Sequence, residues 1–555
     1  MNKQNKIVSP FLVSIFFLLG IIVFSGGKWE RNKYDNFYDI SVPTKISANQ
    51  LKIDVLHYDL NIDLDADNSL LKGDVIISGV IIDSTLTSID LNFYDNLGIS
   101  SLTLNGKKAE YSNTDNMLQI KKGGTRDTFN IEVVYQGTPK HAGLAGFVFG
   151  EINKTNVVYN LSEPNYASSW FPCNDIPSDK AFLDMRITND SSQVSASNGI
   201  LEDIKINGTR KTYHWKTLYP IATYLIAVYS AHYVTFSDKY ISQDRKDTLS
   251  ILYYVFPRDL KNAKIDLEDQ SEYLDFFAKT FGEYPFIKEK YGVAEFLWQY
   301  GAMEHQTLTG IGSNFVNGKK LFSDVFIHEL SHHWWGDAVS PATWKDIWLN
   351  EGFATYSEAL YAEHLGGSAA LQATMISKYK DDFEGKLYNP VNSLFGPTVY
   401  DKGAWVLHML RRETGDSLFF KILRTWFETY KYKNASTADF RKMCQVITNK
   451  DFTKFFAQWV YNGEGKIEVN YSTAIESAPG GYKLKLLIEQ TQKEYNTYFF
   501  PLDFKFTSDN GDDTYKTFYI DFRTKEFEVV LKDLPRKIEA DPNGWLLASI
   551  KKVEK

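Results

Sequence analysis

The sequence predicts a multidomain α+β fold, and three observations carry that prediction. From about residue 48 to 245, polar and apolar side chains alternate as they do in half-buried strands. From about 248 to 462 the apolar residues recur at helical spacing. After Asn462-Gly463 the strand pattern returns. A length of 555 residues suits two to four domains, and 43% hydrophobic with 15% aromatic content fills globular cores. The net charge of −8 is spread over interspersed acidic and basic residues, and no basic stripe offers a nucleic-acid surface. Cys173 and Cys444 stand far apart, which predicts free buried thiols rather than a disulfide framework.

The elements follow in chain order. Lys3 and Lys6 precede an uncharged stretch, residues 7–27, whose centre is rich in Phe, Leu, Ile and Val. Residues 1–27 read as an export signal or an uncleaved membrane anchor, with the lysines kept cytoplasmic and the bulk of the chain outside. In the N-terminal β domain (48–245), Leu56, Tyr58, Leu60, Ile62 and Leu64 fall on one side, and Asn105-Gly106 and Asn207-Gly208 mark turns. The second domain (248–462) shows helical patterns at 261–281, 322–336, 351–365, 400–413, 416–431 and 437–461, the last capped by Ser436. The third (463–555) has strand patterns at Tyr482–Leu486 and Phe500–Phe506, which predict a small β-sandwich.

The chemistry lies in the second domain. Residues 328–332 read His-Glu-Leu-Ser-His. On a helix, positions four apart sit about 40° apart around the axis, so His328 and His332 share a face and fit two corners of a zinc site. His333 lies about 140° away from His328 and is excluded from that face. Glu329 can reach a metal-activated water without being a ligand. Val325, Phe326, Leu330, Trp334 and Trp335 make the helix apolar, and polar groups in such a setting need partners. Asn350-Glu351-Gly352 opens another helical run, and Glu351 can supply the third ligand. Three protein ligands leave one position open, as in catalytic rather than structural zinc sites. Such a site favours water attack on a carbonyl, with a carboxylate moving the proton.

Two further segments, Tyr300-Gly-Ala-Met-Glu-His-Gln306 and Glu163-Pro-Asn-Tyr-Ala-Ser-Ser-Trp-Phe-Pro-Cys-Asn-Asp-Ile-Pro177, join the zinc motif. With Tyr400-Asp-Lys-Gly-Ala404, they make the chain resemble the M1 (gluzincin) aminopeptidase family from about residue 50 onward. The resemblance implies a thermolysin-like, mainly helical catalytic domain and one zinc ion held by His328, His332 and Glu351. It implies Glu329 as general base and Tyr400 as donor to the oxyanion. It implies that Glu163 and Glu304 bind the free α-amino group of a peptide, while Gly301 and Ala302 pair with the extended substrate as a strand edge. The expected function is removal of the N-terminal residue from peptides. An endopeptidase or epoxide hydrolase on the same scaffold, or an inactive envelope binding protein, are the alternatives.

Taken singly, Glu163 could be a turn carboxylate, Glu304 a solvated edge residue and Tyr400 one of 34 tyrosines. Asp337 and Glu358 could orient the imidazoles, or could be solvated. Trp334, Trp335, Trp344 and Trp348 read as core. The sequence departs from the family pattern twice. His305 stands where Asn is usual, placing a titratable ring near the amine site. Ala167-Ser168 replaces the frequent Ala-Arg. Larger relatives append a helical domain over the active site; the chain ends at Lys555 without one, which leads us to expect a more open groove unless another subunit covers it.

Overall fold

The computed structural model describes residues 45–122, 127–142, 145–299, 301–391, 393–493 and 495–554. Residues 1–27, read in the sequence as an export signal or anchor, and Tyr300 lie outside the described residues. No described helix is long and apolar enough to cross a membrane.

The first unit is built on a nine-stranded sheet. Its order is Ile200–Asn207, Arg210–Lys216, Lys180–Asp190, Ile53–Asp65, Leu70–Ile81, Thr128–Gly137, Gly98–Leu104 and Lys107–Lys108, with Ile221–Ala222 beside Lys180–Asp190. Tyr58, Leu60, Ile62 and Leu64 are buried, each contributing roughly 1.5–3 kcal/mol by leaving water. Asp59 and Asp63 face the other way and pair with Arg186 and Arg210. Leu56 departs from the simple alternation. A register shift between Val55 and His57 turns Val55 inward and leaves Leu56 exposed. A second, five-stranded sheet includes Ala145–Ile152 and Thr155–Leu161 and delivers the chain to Glu163.

The second unit has its own five-stranded sheet, ordered Val234–Ile241, Thr248–Val255, Lys290–Phe296, Thr309–Gly312 and Ala302–Met303. The sequence reading carries the first domain to 245, but the strand Val234–Ile241 pairs with Thr248–Val255 and so belongs to this sheet. The pattern at 261–281 forms two helices, Leu260–Asp266 and Gln270–Phe281. The break has a cause: the Asp266 carboxylate accepts backbone N–H groups of Asn317, Gly318 and Lys320, each at 2.7 Å. It thereby fixes the loop that enters the helix Ser323–His332. The pattern at 437–461 is also interrupted. A capping box between Ser436 and Asp439 starts Thr437–Thr448, and Asn449, left-handed at φ 55°, ends it.

The C-terminal strands form a four-stranded sheet and a three-stranded sheet. Cys173 and Cys444 are free and buried.

Candidate active site

The helix Ser323–His332 carries His328, Glu329 and His332 on buried turns. The helix beginning at Trp348 lies against it and places Glu351 in its first turn. His328 Nε2 and His332 Nε2 are 3.0 Å apart, and Glu351 Oε2 is 3.4 Å from each. Ligand atoms on a tetrahedral zinc are separated by about 3.3–3.6 Å, so this triangle has the dimensions of one face of a zinc tetrahedron. Glu351 Oε2 is buried and has no hydrogen-bond partner. A buried orphan oxygen facing two imidazole nitrogens fits a cation. Burial alone would raise the Glu351 carboxyl, but His332 and His328 outweigh it and hold it down to about 2.

The far side of each imidazole is also fixed. His328 Nδ1 lies 2.7 Å from Glu358 Oε1, and Lys378 Nζ donates to Glu358 Oε2 at 2.7 Å. His332 Nδ1 lies 3.0 Å from the Trp335 carbonyl oxygen. Both contacts orient Nε2 toward Glu351. Glu351 and Glu358 are seven residues apart, nearly two full turns, so one helix face supplies both carboxylates. Glu358→Ala is expected to weaken zinc binding about 10–100-fold, measured by competition with a chromogenic chelator. Unchanged affinity would show that His328 does not need this brace.

Glu329 is buried beside the triangle. Burial, and after it the repulsion of Glu304 and Glu351, raise its carboxyl to about 8 against the pull of both histidines. Tyr400 sits in a π-helical turn, Thr398–Lys402, of the kind found at functional sites. Its ring stacks on His328 with centroids 5.9 Å apart. Burial, then the negative charge of Glu351, lift its hydroxyl well above the ordinary tyrosine range, so it remains a donor. Lys402 Nζ donates to the Gly463 carbonyl at 3.0 Å and ties this turn to the start of the third unit.

Glu304 is buried, and one of its oxygens lies within 4.8 Å of both a Glu329 oxygen and a His332 nitrogen. Oε1 of Glu304 and Oε1 of Glu163 are buried without hydrogen-bond partners. Burial raises the Glu163 carboxyl well above normal, and Glu304 raises it further. The two carboxylates repel each other, and His332 offsets part of the cost of burying them. Ala302–Met303 forms the edge of its sheet, pairing on its inner side with Thr309–Gly312, while the Gly301 carbonyl accepts from Gly312 N at 3.1 Å.

The N-terminal unit holds the loop behind Glu304. Asn198 donates to the Gln306 carbonyl at 2.5 Å, Gly199 N donates to Thr307 Oγ1 at 3.0 Å, and Tyr229 Oη meets His305 Nδ1 at 2.7 Å. His305 is fully buried, and burial pushes its ring down to about 3. It stays neutral across the physiological range, so the titratable charge that the sequence suggested near the amine site does not arise. At the Ala167-Ser168 departure, Asp175 accepts from Ser168 N at 3.0 Å and from Thr223 Oγ1 at 2.9 Å, two neutral donors.

Asp337 does not orient an imidazole of the triangle. Its carboxylate oxygens have no hydrogen-bond partner, its nearest imidazole is His333 at 3.8 Å, and burial raises it well above normal. His333 points away from the triangle, its Nδ1 2.9 Å from Tyr284 Oη. Trp334, Trp335, Trp344 and Trp348 are core residues. The sequence reading assigned no role to Lys378 or to the contact between Gly352 and Gly403. A Cβ on Gly352 would come within 2.9 Å of the Gly403 Cα. The helix bearing Glu351 therefore touches, backbone to backbone, the helix that follows Tyr400. The signal was available, since each glycine directly continues a motif.

Residues 265–459 match the Peptidase family M1 domain and residues 55–225 the Peptidase M1 N-terminal domain, more than half of the chain between them. The chain belongs to peptidase family M1. This M1 chain is 26% identical over 428 residues to probable aminopeptidase 2 of Sulfurisphaera tokodaii, covering 73% of the chain and 53% of that relative. It spans about half the length of the first curated relatives it matches. Among solved structures it resembles the M1 zinc metallopeptidase of Deinococcus radiodurans, with 26% identity and a TM-score of 0.66 over 74% of this chain and 93% of that one. A mutant of that enzyme is described bound to a Tyr-Ser-Ala substrate. Legionella pneumophila aminopeptidase A shares the fold over 91% of this chain and 60% of that one, with a TM-score of 0.80 at 20% identity.

Proposed function

We propose that this M1 chain is a zinc-dependent aminopeptidase that releases the N-terminal residue of peptides. One observation carries the reading: Glu304 stands within 4.8 Å of His332, Glu163 feels the charge of Glu304, Glu351 and His332, and each of the two carboxylates has a buried Oε1 without a hydrogen-bond partner. An α-ammonium satisfies both at once and lies next to the bond to be cut. The Tyr-Ser-Ala complex of the Deinococcus radiodurans relative supports a peptide substrate.

Zinc held by His328, His332 and Glu351 would polarise the scissile carbonyl and acidify the attacking water. The rest is the work of this chain's residues. Glu163 and Glu304 hold the ammonium and set the register of the peptide. The edge at Gly301 and Ala302 pairs with the peptide backbone, and the missing Cβ of Gly301 leaves room for the Trp298 ring. Glu329 accepts a proton from the water as its oxygen bonds to the carbonyl carbon, then gives that proton to the departing amine nitrogen. Tyr400 donates its hydroxyl to the oxygen that gains negative charge.

A panel of aminoacyl chromogenic substrates tests the reading. Turnover is expected with free-amine substrates, to vanish after chelation and to return with zinc. Turnover that survives complete removal of metal would overturn it. We also propose that residues 7–27 export or anchor the chain, so that it acts outside the cytoplasm. The two C-terminal sheets are read as a sandwich, supported by Tyr471 on Phe504 and Phe518 on Phe527, with centroids 5.2 and 4.8 Å apart.

A further inference from the structure

The nine-stranded sheet ends very differently on its two sides. One edge is Lys107–Lys108, two residues long and both lysines, which blocks further pairing. The other is Ile200–Asn207, eight residues reading Ile-Leu-Glu-Asp-Ile-Lys-Ile-Asn. Its inner side pairs with Arg210–Lys216, setting Leu201 opposite Trp215, Ile204 opposite Tyr213 and Ile206 opposite Lys211. A bulge leaves Glu202 out of that register. On its outer side, no backbone hydrogen bond to another described residue is made. Leu201, Ile204 and Ile206 are 41%, 47% and 69% exposed. Its outer side is open along eight residues, and its charges, Asp203 and Lys205, are of opposite sign, so the edge can pair with a strand of complementary pattern.

We propose that this edge pairs antiparallel with the same strand of a second copy of the chain. The sequence of the strand complements itself in one register. A two-fold axis through Ile204 sets Ile204 against Ile204 and Asp203 against Lys205 of the other copy. Because the bulge removes Glu202, Leu201 then faces Ile206. From Leu201 to Ile206 the opposed pairs are apolar with apolar or acid with base, and Ile200 meets Asn207 at the ends. Pairing must shift the axis by whole residues while keeping side chains on their own faces. The neighbouring registers put the axis at Asp203 or at Lys205, and each sets like charges directly opposite. The isologous geometry closes as a dimer and leaves the paired sheet with the short lysine edge, Lys107–Lys108, at both ends. The strand also continues from Asn198 and Gly199, the residues that clamp the loop behind Glu304. Pairing here anchors that clamp.

The two native thiols are buried, so a single new cysteine gives a clean readout. Directly opposed antiparallel residues have Cα atoms about 4.5–5.5 Å apart, inside the range a disulfide spans. The full chain carrying Ile204→Cys, under mild oxidant, is expected to run largely as a disulfide dimer on a non-reducing gel. Lys107→Cys, at the guarded edge, is expected to stay monomeric. Adding Lys205→Glu to Ile204→Cys should cut the cross-linked fraction about tenfold, and adding Asp203→Lys as well should restore it. Circular dichroism of the reduced proteins reports that each variant is folded. Equal cross-linking at positions 204 and 107, or no effect of the Lys205→Glu change in folded protein, would overturn the proposal.

Discussion

Glu329→Gln is expected to lower turnover by about 10²–10⁴-fold while zinc content stays at one ion per chain. Glutamine keeps the size and the hydrogen-bonding reach of the side chain but cannot take up a proton. Burial and its acidic neighbours raise the carboxyl above the ordinary carboxylate range, against the pull of both histidines. The triangle His328, His332 and Glu351 does not include it, so the substitution leaves the ligands in place. Measuring metal by elemental analysis beside kcat separates the two possible failures. Loss of zinc with loss of activity would make Glu329 a structural member of the metal site. Full activity with full zinc would remove it from the mechanism.

The parts of this site that were legible in the sequence are those whose geometry is local. Two histidines four apart must share a helix face, and a buried helix face bearing them needs a partner. Glu351 was reachable because the motif Asn-Glu-Gly opens a helix, and that helix packs on the first. What escaped depends on long-range placement. Lys378 and Glu358 are 20 residues apart, and a straight helix would separate them by about 30 Å. They meet because the helix is interrupted at Gly367, whose φ of 68° turns the chain back. Gly366-Gly367 marks the end of the pattern at 365 in the sequence, but not the direction in which the chain leaves. Gly352 and Gly403 likewise reveal their role only when two helices cross. In the first sheet, alternation named the buried face of Tyr58 to Leu64 and misplaced Leu56, since a bulge has no period to read. His305 showed the opposite error. Its chemistry suggested a titratable ring beside the amine site, and burial against Tyr229 keeps it neutral.

Blocking the substrate's amine should have an effect as large as removing the base. A peptide and its N-acetylated twin are expected to differ by about 10⁴-fold in kcat/KM. The free ammonium answers two carboxylates, each with one buried oxygen, Oε1, that has no hydrogen-bond partner. The acetylated peptide brings no charge to them and forces a neutral, bulkier group into the same space. It must either leave Glu163 and Glu304 unpaired or keep them protonated, which their raised pKa values permit but which forfeits the ion pair. Glu304→Gln should therefore compress the ratio chiefly by slowing the free-amine peptide, leaving the acetylated one nearly where it was. That asymmetry distinguishes recognition of the amine from general damage, which would slow both. If the two peptides were cleaved equally by the unaltered chain, the carboxylate pair would have some other use. The site would then be that of an endopeptidase or of another hydrolase on the same scaffold.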